Sequence, residues 1–209
     1  MATILSFHTS LSPDIIQQAV ACVQAGGVLA IPTDSYYALA VDVFQPAALE
    51  RLCRIKGNRD HKPFPVLIGD ISQLDQLVDE VPEMAKKLIR HFWPGLLTLV
   101  LKTNPHVSSV SEQGTVGVRQ PDDFRVCELL KQAGPLTGTS ANRTGHPPAQ
   151  SVEEVIEQLG PQIDLILDGG PTPGGQPSTV VQVEPDLCII RQGAIPNSVL
   201  YQILGKNEV

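Results

Sequence analysis

Residues 135–145 read PLTGTSANRTG. An apolar start runs into Thr137, Thr139, Ser140, Asn142, Arg143 and Thr144, with Gly138 and Gly145 among them. The run is too polar to be buried without partners. It is also too rich in small hydroxyl and amide groups to be ordinary strand throughout. The pattern predicts a short strand over 136–139 that ends in hydroxyls, an amide and a cation. In an open sheet flanked by helices, ligands bind where such strand ends converge. The same residues could form an ST- or Asx-turn that caps the next segment. The stretch alone leaves both readings open.

The flanking chain alternates helices and strands. Ser12-Pro13-Asp14 has the residues of a helix start, an N-cap, a first-turn proline and a first-turn acid, and Gly26-Gly27 stops that helix. VLAI at 28–31 predicts a strand, Pro46 a second helix, PVLIG at 65–69 a strand, and 72–79 and 82–92 two helical stretches. LLTLVLK at 96–102 and TVGVRQ at 115–120 predict strands, and 122–133 a helix. Ser151 and Glu154 make a capping-box pattern. DLILD at 164–168 predicts a strand, STVVQV at 178–183 and LCIIRQ at 187–192 a hairpin, and Pro196 opens a short helix. The fold class is therefore α/β or α+β, with a twisted sheet of mixed parallel and antiparallel strands and flanking helices. No internal repeat or linker divides residues 1–209, so one domain is expected.

The 209 residues carry a net charge of −7 and only 4% aromatics. That balance argues against a general nucleic-acid surface and against base stacking on an aromatic platform. Yet residues 51–62 hold Arg51, Arg54, Lys56, Arg59 and Lys62, a third of the 15 Lys and Arg, with His61 among them. Such a cluster serves a specific anion or is a solvated helix face. Cys22, Cys53, Cys127 and Cys188 have no zinc spacing. They are expected to be reduced, mostly buried thiols of a cytosolic protein. The first ten residues lack a signal-peptide pattern, and no apolar run approaches the roughly 18 residues of a membrane span.

No GxxxxGK[ST], GxGxxG, HExxH or GxSxG occurs. What remains is a set of polar residues at strand ends: Thr33, Asp34 and Ser35; Lys56, Arg59 and His61; Arg119; Ser140 and Asn142; Ser178 and Thr179; Arg191. Several cations, several hydroxyls and few bases suit a site that holds a phosphorylated ligand by position and charge.

The ordered motifs IPTDSYYALA, RIKGNRDHKPFPVLI, HFWPGLLTLVL, VGVRQP, TSANRTGHPPA, ILDGG with PSTVV, and IIRQGAI strongly resemble the YrdC family from about residue 11 to 196. The resemblance implies a large concave, cation-lined cavity. It also implies L-threonylcarbamoyladenylate synthesis from ATP, L-threonine and bicarbonate, with Mg2+ and release of pyrophosphate. The product would feed N6-threonylcarbamoylation of tRNA adenosine 37 through a separate transfer enzyme, with weak or indirect tRNA contact, in the cytoplasm. Thr33, His61, Arg119 and Ser178 match the threonine site. Lys56 and Arg59 match a KxR element on the ATP phosphates, here KGNR and one residue longer. Thr115, Ser140, Asn142 and Arg191 match the nucleotide side. Trp93 is assigned to packing, and the loop GPTPGGQP at 170–177 is expected to act as a lid. The chain looks like the short form of the family.

PTDSYYAL departs from the family's PT[DE]TxYGL. A related branch shares the PTDS and YAL features but usually loses the SxN element, which this chain keeps as SAN. The competing readings are a nucleotide- or RNA-binding module without synthase activity and a carbamoyl-handling domain like that of hydrogenase maturation proteins.

Overall fold

The structure, a computed structural model, describes residues 2–8, 12–57, 63–104, 107 and 114–206. Among the described residues, eleven strands form two sheets. The first, in spatial order, holds β1 (Thr3–Ser6), β9 (Leu165–Asp168), β2 (Leu29–Ile31), β3 (Ala38–Ala40) and β8 (Thr139–Ser140). The second holds β11 (Cys188–Arg191), β10 (Thr179–Gln182), β5 (Leu97–Lys102), β6 (Thr115–Arg119), β4 (Val66–Leu67) and β7 (Leu136–Thr137). Both mix parallel pairs (β1–β9, β2–β9, β10–β5, β4–β6) with antiparallel ones (β2–β3, β5–β6, β10–β11). The mixed α/β class is as expected.

Six helices cover these sheets: α1 (Pro13–Gln24), α2 (Pro46–Lys56), α3 (Glu83–Phe92), α4 (Phe124–Ala133), α5 (Val152–Leu159) and α6 (Asn197–Leu204). α1 buries Ile16, Ala19 and Val23, and α4 buries Val126, Leu129 and Leu130. Both meet one face of the first sheet through Leu29, Ile31, Ala38, Ala40, Leu165 and Leu167. Burying Ile16 and Val23 contributes about 1.5–3 kcal/mol each. The alternate residues Ala30, Leu39 and Ile166 point into a second core, shared with Leu97, Leu99, Leu101, Val116, Val118 and Val181 of the second sheet. The first sheet is thus covered on both faces.

The second sheet is not. Period-2 alternation puts Thr98, Val100 and Lys102 of β5 on the face opposite Leu97, Leu99 and Leu101. Val100 registers with Gly117, and Thr98 with Val180. Val100, Gly117 and Val180 are half-buried, whereas Leu99, Val118 and Val181 are fully buried. Gly117 leaves this face low at its centre; even a Cβ there would sit 3.3 Å from the Thr98 methyl.

The opening stretch joins the sheets. LTGT is two strands rather than one: Leu136 and Thr137 pair with β4, and Thr139 and Ser140 pair with β3. Gly138 lies between them, where a side chain would overlap Leu67 at 2.4–2.8 Å. The Thr137 hydroxyl donates to Leu39 O at 3.1 Å and accepts from Val41 N at 3.0 Å.

Several expectations are corrected. Residues 71–76 form a 3-10 helix (Ile71–Gln76), capped by Asp70 and Gln73. β1 and β3 were not anticipated, being short apolar runs without a strand-length pattern. Ser12 stands at the N-cap of α1, but its hydroxyl makes no capping bond. Of the cysteines only Cys127 is buried; Cys22 is half-buried, and Cys53 and Cys188 are exposed. Cys53 adjoins buried Leu52 but turns to the outer face of α2, and Cys188 lies on the edge strand β11. Trp93 is packed as expected, its indole N–H donating to Leu97 O at 2.8 Å.

Candidate active site

Arg119 ends β6, Arg191 ends β11, and Ser178 and Thr98 lie at the starts of β10 and β5, so pairing brings all four to one end of the strands of the half-open sheet. Arg119 Nε donates to Gly95 O at 2.8 Å, and its Nη2 donates to Asp34 Oδ1. Arg191 donates to Ser178 O from Nη2 at 2.8 Å and to Ser178 Oγ at 3.1 Å. Ser178 Oγ also shares a 2.8 Å hydrogen bond with Thr98 Oγ1. Burial lowers the Arg119 pKa from its usual value, opposed by the carboxylates of Asp34 and Asp122. Burial, then the charge of Arg119, lowers that of Arg191. Two guanidinium groups held within electrostatic reach at a sheet edge suit an anionic ligand.

A second cluster forms at the end of α2. Lys56 is 5% exposed, and its ammonium donates to Ser140 O, Asn142 O and Asn142 Oδ1, each at 2.7 Å. Ser140 Oγ donates to Asn142 Oδ1 at 2.7 Å, and Asn142 Nδ2 to His146 O. The Thr144 hydroxyl donates to Lys56 O. Lys56 thus staples the polar stretch after β8 to the helix end.

The loop between β2 and β3 touches both clusters. Asp34 reaches Arg119, while β3, which continues from the loop, pairs Ala38 with Ser140. Thr33 Oγ1 donates to Tyr36 O at 2.7 Å and lies 3.2 Å from Ser35 Oγ. Over this loop runs the 170–177 segment. Gly174 N donates to Ser35 O at 2.7 Å, Tyr36 OH to Gly175 O, and Thr172 N to Gln150 O at 2.9 Å. Its root is fixed by Tyr37, whose hydroxyl donates to Gly170 O at 2.8 Å and accepts from Gly169 N at 3.2 Å. Burial pushes the Tyr37 phenol up to about 12, so it stays a donor.

The structure therefore brings Arg119, Arg191 and Ser178 together, and Lys56, Ser140 and Asn142 together, with Thr33 in the joining loop. Thr115 does not join the first group. It starts β6 while Arg119 ends it, roughly 13 Å apart at about 3.3 Å per residue. Arg59 and His61, with Lys62, lie outside the described residues. The basic run is not one cluster. Arg51 turns to Asp164, with bonds of 2.6 and 3.0 Å, because it lies about 140° around the helix from Lys56. A hollow of about 520 Å³ lies elsewhere, lined by Pro46, Leu49, Glu50, Cys53, Arg54 and Phe64. Two contributors lacked an assigned role in sequence. Asp34 was visible only as a polar residue at a strand end, and Thr98 only as a hydroxyl inside an apolar strand. Among the described residues no three His, Cys, Asp or Glu side chains converge to hold a metal ion.

The model of the Sua5/YciO/YrdC family, described as "Telomere recombination", matches residues 21–193. A Bacillus subtilis protein named threonylcarbamoyl-AMP synthase is 35% identical over 199 residues, covering 93% of this chain and 58% of that protein. The structure of Pyrococcus abyssi Sua5 complexed with L-threonine superposes with a TM-score of 0.93 at 30% identity, covering 98% of this chain and 62% of that one. Escherichia coli YciO superposes with a TM-score of 0.85 at 31% identity, covering 96% of this chain and all of that one. The chain thus spans about three fifths of the Bacillus and Pyrococcus proteins it matches. It belongs to the Sua5/YciO/YrdC family.

Proposed function

From this membership, we propose that the chain is a threonylcarbamoyl-AMP synthase, a nucleotidyltransferase that joins L-threonine, bicarbonate and ATP and releases pyrophosphate. The observation that carries the reading is the buried Arg119 beside Arg191 and Ser178 at the rim of a half-open sheet face. An anion placed there meets a planar fork that lysine cannot reproduce. Arg119 takes the threonine carboxylate, with the Thr33 and Ser178 hydroxyls beside it. Lys56, Ser140, Asn142 and Arg191 form the nucleotide side, and Arg59 and His61 are assigned there and to threonine from family position alone. Thr115, at the other end of β6 from Arg119, is assigned to the nucleotide side from family position alone.

Bicarbonate takes up a proton and loses water to give CO2, and the threonine amine attacks the CO2 carbon, opening one C=O π bond to a carboxylate oxygen. An N–C bond forms, the amine proton is lost, and the carbamate oxygen attacks the α-phosphorus as pyrophosphate leaves. The chain's part is alignment and charge. Arg119 fixes the threonine while Lys56, stapled to the Ser140–Asn142 stretch, exchanges one of its three carbonyl-type acceptors for a phosphate oxygen. Mg2+ bound to the ATP phosphates would supply further neutralisation of their charge. The loop over residues 33–36 excludes water from the labile carbamate and mixed anhydride. The product feeds N6-threonylcarbamoylation of tRNA adenosine 37 by a separate enzyme in the cytoplasm. A net charge of −7 suits weak or indirect tRNA contact. No helix among the described residues is long and apolar enough to cross a membrane.

The test is mass spectrometry of products after mixing protein, ATP, Mg2+, bicarbonate and L-threonine, with each omitted in turn. Threonylcarbamoyl-AMP that appears only in the complete mixture is the expected result. Nucleotide binding without threonine-dependent pyrophosphate release would instead mark a binding module.

A further inference from the structure

We infer that Asp34 and Arg119 together read the zwitterion of the amino-acid substrate: Arg119 holds the carboxylate and Asp34 holds the ammonium group. The inference rests on the synthase reading and adds a residue to it.

The pair is well sheltered, with the Arg119 side chain 8% and the Asp34 side chain 13% exposed. It is also one-sided. Asp34 uses Oδ1 toward Arg119 Nη2, while Arg119 Nε is spent on Gly95 O. Among the described residues, Asp34 Oδ2 accepts from no protein donor, and Arg119 Nη1 donates to no protein acceptor. A fork that could grip a carboxylate in two places is therefore gripped in one. One cationic donor and one anionic acceptor remain side by side, an arrangement that matches an α-amino acid, whose two opposite charges hang on one carbon. Arg191, a second cation in electrostatic reach of Arg119, turns to Ser178. Asp122, the other carboxylate in electrostatic reach of Arg119, is solvent-exposed. Asp34 is thus the sheltered anion available to an ammonium group at this edge.

A residue that only orients Arg119 would behave differently, and two ligands separate the cases. L-Threonine carries both charges. 3-Hydroxybutanoate keeps the carboxylate and hydroxyl but lacks the amine. Ligand-detected NMR titrations of the intact chain would measure both affinities. Asp34→Asn is expected to weaken L-threonine tenfold or more and to leave 3-hydroxybutanoate unchanged or tighter, because the competing carboxylate is gone. Asp34→Glu keeps the charge and guards against misfolding; it should weaken threonine less than Asp34→Asn, again without loss of 3-hydroxybutanoate. Parallel loss of both ligands would reduce Asp34 to a positioning residue and overturn the inference. Unchanged threonine binding in Asp34→Asn would overturn it alone, whereas parent protein that binds neither L-threonine nor L-serine would overturn the synthase reading with it.

Discussion

The two sheets are built from different kinds of strand. β2, β3 and β9 read LAI, ALA and LILD, apolar at almost every step, because helices cover one face and the shared core the other. β5, β6 and β10 read LTLVLK, TVGVR and TVVQ, where apolar residues alternate with small or polar ones. One face of these strands holds the core, and the other carries Thr98, Gly117 and Arg119. The first sheet supplies a rigid wall, and the second supplies a wall with chemistry on it. In this chain, alternation marks where function can sit, and continuous apolarity marks where it cannot.

Stability separates the sheets most sharply. Leu39→Ala, on a strand buried from both sides, is expected to lose about 2–5 kcal/mol in denaturant unfolding. Val180→Ala, on the half-open face, should lose well under half as much; equal losses would erase the distinction between the two sheets.

The next effects are chemical. Lys56→Ala should abolish threonine-dependent pyrophosphate release and weaken ATP by about 1.5–3 kcal/mol, roughly 10- to 150-fold, as a charge-assisted contact is lost. ATP binding at the parental level would remove Lys56 from the nucleotide side. Arg119→Lys should raise the threonine KM almost as much as Arg119→Ala, at least tenfold, with the ATP KM nearly constant. A surface ion pair is worth only about 0–1 kcal/mol, so a silent Arg119→Lys would place the guanidinium outside the site.

Smaller effects sharpen the comparison. Thr98→Val removes one hydrogen bond to Ser178, worth about 0.5–1.5 kcal/mol, and should appear in threonine affinity more than in melting temperature. The first sheet has its own polar clamp, Arg51 on Asp164. Burial acts to raise the Asp164 pKa, but the Arg51 hydrogen bond, the Val28 N–H and the Arg51 charge together hold it below its ordinary 3.8. Because the folded value is depressed, the clamp's stabilisation is present above about pH 3.8 and lost as pH falls through the folded value. Melts at falling pH should show that loss in the parent and a smaller one in Arg51→Gln, with threonine affinity at neutral pH unaffected.

Much of this was legible before any coordinates. Long periodic segments such as α1 and β5 were readable because their patterns repeat over enough residues to exclude the alternatives. β1 and β3 were not, because two or three apolar residues fit strand, helix or loop equally well. The break at Gly138 was hidden too, since it depends on the approach of Leu67 from another strand. At the site, Arg119, Ser178 and Asn142 stood out as polar residues at strand ends. Asp34 stood out in the same way, but its partnership with Arg119, like that of Gly95, did not, because the fold and not sequence distance sets them together. The basic run from 51 to 62 looked like one feature only because a linear reading ignores the turn of the helix between Arg51 and Lys56.

The five residues from Leu136 to Ser140 are bonded into both sheets, with Gly138 N also donating to Pro65 O at 2.7 Å. Mechanically this is a weld. The sheets cannot swing apart along that line without breaking pairing on both sides. The 170–177 strap, held at its tip by Ser35 and Tyr36, is the segment we propose moves when reactants enter and leave. Under the synthase reading a division of labour is expected: the weld would hold Arg119 and Lys56 at a constant spacing through turnover while the strap opens and closes.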